Sequence, residues 1–272
     1  MALQYAMTST AETLIWISGA TQGIGLGLAR TAPWPEAKII NISRRRHPDY
    51  ETVQLDLADP ATWDAARHDF TARLAGFSGR RALFIHNANL QESVGHIGAI
   101  DSAAHRNAIL ANCAAPLVLA EAFVRACGGI AEPGCETGLV LLSSDSAAMA
   151  LPGLASYCAA KVAIEHWVEV VRREREITGQ GPWVAAVRPG AVITPPVESV
   201  AALDDAVYPG ASRVRASLAT RVDIDTAGRR IWAALPPPPG ISVISFGSPA
   251  TPERAFSEAQ VRMLGSAGKT QQ

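Results

Sequence analysis

Leu14-Ile15-Trp16-Ile17, then Gly19-Ala20-Thr21-Gln22-Gly23-Ile24-Gly25, then Leu26 to Thr31 form the stretch on which the fold turns. A short apolar run, a glycine-rich turn and a helix-compatible segment follow one another without a gap. Lys38-Ile39-Ile40-Asn41-Ile42 supplies a second short strand after the break at Pro33-Trp34-Pro35. Strand, turn, helix, strand is the opening of a parallel α/β unit. The alternation continues with strands expected at Thr52–Leu55, Ala82–His86, Leu139–Leu142, Trp183–Val187 and Ile241–Phe246. Between them, helices are expected at Pro60–Ala75 behind an Asp59 cap, at Ser102–Cys127, at Ser156–Thr178 and near Thr226–Leu235. Parallel strands require crossovers that cover both faces, so the expectation is an α/β fold with one doubly wound parallel seven-stranded sheet. Residues 1–250 read as a single domain, and 251–272 as a polar, small-residue tail.

Composition narrows the class. The chain has 272 residues, 48% of them hydrophobic and 18% charged, with 24 basic against 25 acidic side chains. That balance argues against disorder and against a polyanion-binding surface, so no nucleic-acid partner is expected. No long uncharged apolar run and no basic leader stand out, which predicts a cytoplasmic protein without a membrane partner. Cys113, Cys127, Cys135 and Cys158 lack metal or dithiol spacing and read as small buried hydrophobes; no metal is expected. Lysine is rare, at Lys38, Lys161 and Lys269, and there are only four tyrosines.

The glycine spacing lets a pyrophosphate approach the N-terminus of the following helix, where free N–H groups and the helix dipole favour negative charge. The second strand ends in Ser43-Arg44-Arg45-Arg46. A carboxylate here would bind an adenosine ribose and repel a 2′-phosphate; Ser43 and Arg44 reverse that preference, so NADP(H) is expected over NAD(H). Arg45 and Arg46 read as an exposed basic turn.

Tyr157 and Lys161 lie four apart at the start of a helix and therefore project from one face. Ser144 closes the strand before them, with Ser143 as the alternative one residue earlier, and Asn112 lies inside the long helix. With Gly19, Gly23 and Gly25, Asp56-Leu57 after the third strand, Asn87-Ala88 after the fourth and Pro189-Gly190-Ala191-Val192-Ile193-Thr194 after the sixth, the chain resembles the short-chain dehydrogenase/reductase family in its single-domain branch. The resemblance runs from about Leu14 to Phe246. Within the family the strand end at Ser43-Arg44 and the short Tyr157–Lys161 run look most like the sepiapterin-reductase and benzil-reductase relatives.

The resemblance implies a Rossmann-type fold, a nicotinamide cofactor and a site built from Asn112, Ser144, Tyr157 and Lys161. Tyr157 would be the general acid/base, its pKa lowered by the Lys161 ammonium, which would also hold the nicotinamide ribose. Ser144 would polarise the substrate oxygen, and the Asn112 side chain and backbone would anchor a water linking Lys161 to solvent. The cofactor would touch Gly19, Thr21, Gln22, Gly23, Ile24, Gly25, Ser43, Arg44, Asp56, Leu57, Asn87, Ala88, Tyr157, Lys161, Pro189, Gly190, Val192 and Thr194, with Thr194 and the Val192 backbone on the carboxamide. Two departures stand out: Asn89 where the family carries glycine, tolerable because Asn accepts φ > 0, and His86 where it carries asparagine, read as a packed strand end.

The expected activity is reduction of a small, fairly apolar ketone or aldehyde, or the reverse oxidation. Substrate choice is assigned to Leu90–Ile97, Asp145–Leu154 and an irregular segment from Pro195 to Arg221, with Leu90, Asp145, Ser146 and Tyr208 as pocket residues. A 3-oxoacyl-carrier-protein reductase is the nearest alternative; it calls for a basic docking patch, and only scattered arginines such as Arg125, Arg172 and Arg173 are available. A catalytically silent NADP(H)-binding sensor is the alternative from another class. A homodimer or homotetramer through the helices at Ser102–Cys127 and Ser156–Thr178 is implied by the family.

Overall fold

The computed structural model describes residues 12–90, 94–204 and 211–247. Seven strands form one sheet in the order β3-β2-β1-β4-β5-β6-β7, and every neighbouring pair is parallel. They are β1 (Thr13–Ser18), β2 (Lys38–Ser43), β3 (Glu51–Gln54), β4 (Arg81–His86), β5 (Glu136–Leu142), β6 (Trp183–Arg188) and β7 (Val243–Ser245). The last strand is shorter than the Ile241–Phe246 run expected. The strand order reverses between β1 and β4, and such a switch point opens a crevice at the carboxyl ends of the strands.

The central strands are apolar in continuous runs because both of their faces are covered. One face packs Trp16, Phe84, Phe70 and Phe123, which meet edge-on or tilted at centroid separations of 5.0–6.0 Å. Here lie α2 (Asp64–Leu74), α4 (Ala115–Cys127) and α5 (Ala155–Thr178). Each such ring contributes about 1.5–3 kcal/mol by leaving water. Trp16 stays satisfied because its indole N–H donates to Asp69 at 2.7 Å.

The other face packs Ile15, Ile17, Leu83, Ile85 and Val140 beneath α1 (Gly23–Arg30) and α8 (Ile224–Ala233). These two helices cross backbone to backbone. A Cβ at Gly27 would lie 2.1 Å from the Ile224 carbonyl oxygen, and one at Gly228 would lie 2.7 Å from that of Gly27.

Local signals bound the helices, the Asp59 cap as expected. Asp59 accepts from the Ala61 N–H, with Pro60 opening a 3-10 turn before α2, and Asp223 caps α8 through Thr226. Gly179, at φ +68°, terminates α5.

Two segments differ from the sequence-based expectation. The helix expected from Ser102 to Cys127 comprises α3 (Ser102–Ile109), a π-helical turn at Leu110–Ala114, and α4. It is also apolar and long enough to cross a membrane by composition, contrary to the reading above; half of its most apolar window is buried inside the protein. The segment expected to be irregular contains α6 (Pro195–Ala201) and α7 (Ala211–Ser217), because Pro195 is pre-set for the first turn of a helix. The cysteines are free and only partly buried, not fully buried as expected. The 251–272 tail lies outside the described residues.

Candidate active site

A cavity of about 1060 Å³ opens at the switch point, at the ends of β1, β2, β4, β5 and β6. Gly19, Thr21, Gln22, Gly23 and Ile24 form one wall, and Ser43, Arg44, Asp56 and Leu57 the next. Asn87, Ala88 and Leu90 follow, then Ser144, Asp145 and Ser146, Tyr157 and Lys161, and Pro189, Gly190, Val192 and Thr194. Segments far apart in sequence thus meet because each follows the carboxyl end of a parallel strand. Of the expected residues, Gly25 lies behind the turn, Asn112 lies beneath the wall, and Tyr208 falls outside the described residues.

The glycine turn is fixed from behind. Gly19 and Gly23 hold φ of +75° and +56°, and the Gly19 N–H donates to the Ile42 carbonyl at 2.9 Å. Asn87 donates from Nδ2 to the Ser18 carbonyl at 3.1 Å and from its backbone to Ser18 Oγ at 2.9 Å. Asn41, fully buried in β2, accepts from the Ala20 N–H and donates to Ser43 Oγ and the Arg45 carbonyl. No side chain caps α1 at Gln22, so its first-turn N–H groups are left for an anion. This cradle fits a dinucleotide pyrophosphate.

At the end of β2 the arginines divide their work differently from expectation. Arg44 is exposed and lies 3.7 Å from the Asp56 carboxylate, whereas Arg45 reaches across to Gln22 Oε1 at 2.9 Å and also lines the cavity. Arg45 is therefore part of the wall. Its one sequence signal was its place in the basic run. The Ser43 hydroxyl donates back to the Arg45 carbonyl at 2.6 Å, so it shapes this loop instead of standing free.

Asn89 needs no special backbone, since no non-glycine residue among those described has positive φ; the expected reliance on left-handed tolerance is corrected. His86 is a packed strand-end residue, as expected. Ser18 Oγ accepts from the Asn87 and Ala88 N–H groups and lies 3.2 Å from His86 Nδ1. Burial, assisted by the nearby Lys161 charge, pushes its pKa down to about 3 and keeps the ring neutral.

Tyr157 and Lys161 occupy successive turns of α5, with the ammonium 5.4 Å from the phenol ring centroid. Lys161 is buried and donates to the Leu142 carbonyl at 2.7 Å. Burial pushes its pKa down to about 8, against the pull of Glu165. Burial also raises Tyr157, with the Ser144 hydroxyl pulling the other way. The expected lowering by Lys161 is thus not what this structure shows, because desolvation of a phenolate dominates. Ser144 hydrogen-bonds Tyr157 and also accepts from the Ser146 N–H; it does not close β5, which ends at Leu142, but caps the 3-10 turn that follows. In the π turn the Asn112 side chain accepts from the Leu90 N–H at 2.7 Å and donates to the Leu90 carbonyl at 2.6 Å, fastening the loop after β4.

Beyond Tyr157 and Lys161 the wall turns apolar, with Met149, Leu151, Leu154, Val197, Val200 and Val214. These belong to the segments assigned to substrate choice. Ser146 Oγ is buried there without a hydrogen-bond partner among the described residues.

Comparison with known proteins agrees with the geometry. Residues 13–204 match the family model described as short chain dehydrogenase. An uncharacterized oxidoreductase of Schizosaccharomyces pombe is 29% identical over 201 residues, 70% of this chain and 74% of that protein. A short-chain dehydrogenase/reductase structure from Saccharomyces cerevisiae superposes with a TM-score of 0.72 at 17% identity, covering 87% of this chain and 97% of the other. One from Burkholderia vietnamiensis gives 0.58 at 28% identity, covering 72% and 94%. With this match across most of its length and an all-parallel seven-stranded sheet, the chain belongs to the short-chain dehydrogenase/reductase family and is an oxidoreductase.

Proposed function

We propose that the protein is an NADP(H)-dependent reductase of ketones or aldehydes, able to run in reverse as an alcohol dehydrogenase. The observation that carries this is the convergence of Tyr157, Ser144 and Lys161 on one cavity whose other end is the glycine cradle. Bound NADP(H) supplies or accepts the hydride. The phenol of Tyr157, raised by burial, stays protonated at neutral pH and donates its proton to the substrate oxygen. Ser144 donates to the same oxygen and orients it. Lys161 holds the nicotinamide ribose and restores the proton of Tyr157. Turnover that depends on the ammonium falls as pH rises through about 8. The apolar wall suits a substrate with a hydrocarbon body, and Ser146 Oγ offers it one hydrogen bond.

A panel of ketones, aldehydes and alcohols read at the nicotinamide absorbance with each cofactor tests this reading. Turnover with apolar ketones and NADPH is the expected result; cofactor binding with no turnover across the panel would favour the silent sensor. Preference for NADPH rests on Arg44 and Arg45 at the end of a strand that carries no carboxylate. Arg44→Ala should weaken NADPH by ~1.5–3 kcal/mol through loss of a charge-assisted bond, and NADH far less. Equal losses for the two cofactors in fluorescence titrations would remove the assignment.

Self-association through α4 and α5 accompanies the proposal. Val118 on α4 and Val170 and Ile177 on α5 are exposed apolar residues, 47%, 41% and 85% accessible. Sedimentation that shows only monomer at micromolar concentration would exclude it.

A further inference from the structure

Glu165 lies one turn beyond Lys161 on α5. Its Oε1 accepts from Arg188 Nε at 2.7 Å and from the Ser143 hydroxyl at 2.6 Å, and its Oε2 accepts from Arg188 Nη2 at 2.7 Å. Arg188 and Ser143 are each only 4% accessible. A two-pronged guanidinium–carboxylate bond of this kind fixes orientation as well as distance. What it fixes is the join between three catalytic segments. Ser143 precedes Ser144; Arg188 ends β6 and leads into Pro189-Gly190 and on to Val192 and Thr194. Lys161, tied to the Leu142 carbonyl, comes from the same helix as the carboxylate.

We propose that Glu165 is a positioning residue for Lys161, clamping the ends of β5 and β6 to α5 and supplying the negative charge that the buried ammonium requires. The proposal rests on the reading above, in which Lys161 acts as an ammonium. Two buried cations, Lys161 and Arg188, share this end of the sheet, and Glu165 engages the second of them through both of its oxygens. The other titratable groups facing them are Tyr157 on α5, the neutral His86 on β4, and Asp145 after β5, whose charge acts on Arg188. Burial disfavours the ammonium and Glu165 favours it. A pair that merely held the fold would leave the protonation of Lys161 unmoved when neutralised.

The test uses the full chain labelled at lysine Cε without cofactor. With only three lysines, the Lys161 signal is identified as the one lost in Lys161→Arg. Glu165→Gln keeps the shape of the clamp and removes its charge. Its Lys161 titration midpoint should fall by ~1 pH unit, and Glu165→Asp should bring it most of the way back. In turnover assays the alkaline limb of kcat should shift by the same amount, with KM for the carbonyl substrate changed less. A folded Glu165→Gln variant with the parent midpoint would overturn the proposal. Should Glu165→Gln fail to fold, Glu165→Leu/Arg188→Met carries the same measurement, since apolar replacement of both members of a buried pair is generally tolerated. Because that variant removes the repelling Arg188 charge along with the carboxylate, its midpoint is compared with that of Arg188→Met, and equal midpoints in the two also overturn the proposal. The titration needs no substrate, so its outcome stands even where the carbonyl panel yields no turnover.

Discussion

Tyr157→Phe should lower kcat for carbonyl reduction by about 10²–10⁴-fold, the usual worth of a positioned general acid, while leaving the dissociation constant for NADPH within a few-fold. The asymmetry follows from the placement of the hydroxyl. Tyr157 reaches the cavity between Ser144 and the apolar wall, whereas the pyrophosphate cradle lies at the ends of β1 and β4. The substitution removes one oxygen atom and keeps the ring that faces the Lys161 ammonium, so packing of α5 is preserved. Ser144 cannot take over: its hydroxyl is an ordinary alcohol and is engaged with the Ser146 N–H and with Tyr157 itself. Single-turnover measurements should therefore show slow hydride transfer with normal cofactor saturation. Retention of more than a tenth of parent turnover would remove Tyr157 from the mechanism.

The pH response of the parent enzyme has two components of opposite origin. The burial that keeps Tyr157 protonated favours the acid role over a wide range. The same burial brings the Lys161 midpoint down toward physiological pH. Reduction should accordingly be sustained at neutral pH and decline above about pH 8, and the lysine sets that limit.

Most of the frame was legible in the chain because strands buried on both faces announce themselves as short apolar runs, and Leu14–Ile17, Ala82–Ile85 and Leu139–Leu142 are of that kind. The turn at Gly19–Gly25 and the Tyr157–Lys161 pair were legible because their meaning is local, set by spacing within one turn or one helix. What escaped is non-local or energetic. The Glu165–Arg188 clamp joins residues 23 positions apart on different elements. The π turn at Leu110–Ala114 adds a single residue to a helical repeat, which no apolar period records. The reversal at Tyr157 comes from desolvation, a property of the surroundings. Arg45 was set aside in favour of Arg44 because adjacent residues of one type cannot be told apart until the loop geometry turns one of them onto Gln22.

Gly25 and Gly27 make the second large prediction, since they sit two residues apart on one helix and should fail differently. A Cβ at Gly25 would lie 2.3 Å from the Gly19 carbonyl oxygen and 2.6 Å from Asn87 Nδ2. Neither neighbour can yield, because Gly19 is fixed to Ile42 and Asn87 to Ser18. Gly25→Ala must therefore move the turn relative to the first N–H groups of α1, and NADPH affinity should fall by at least ~100-fold, as loss of two or more charge-assisted bonds requires. A Cβ at Gly27 would instead strike the Ile224 carbonyl on α8, on the side of α1 away from the cavity. Gly27→Ala should lower the melting temperature by several degrees, at ~2–4 °C per kcal/mol of overpacking strain for a domain of this size. Its folded fraction should still bind NADPH within about tenfold. Calorimetric melting with and without saturating NADPH separates the two: the cofactor should raise the melting temperature of Gly27→Ala and leave that of Gly25→Ala nearly unchanged. Equal stabilisation of both variants would show that the turn carries no part of the cofactor's binding energy.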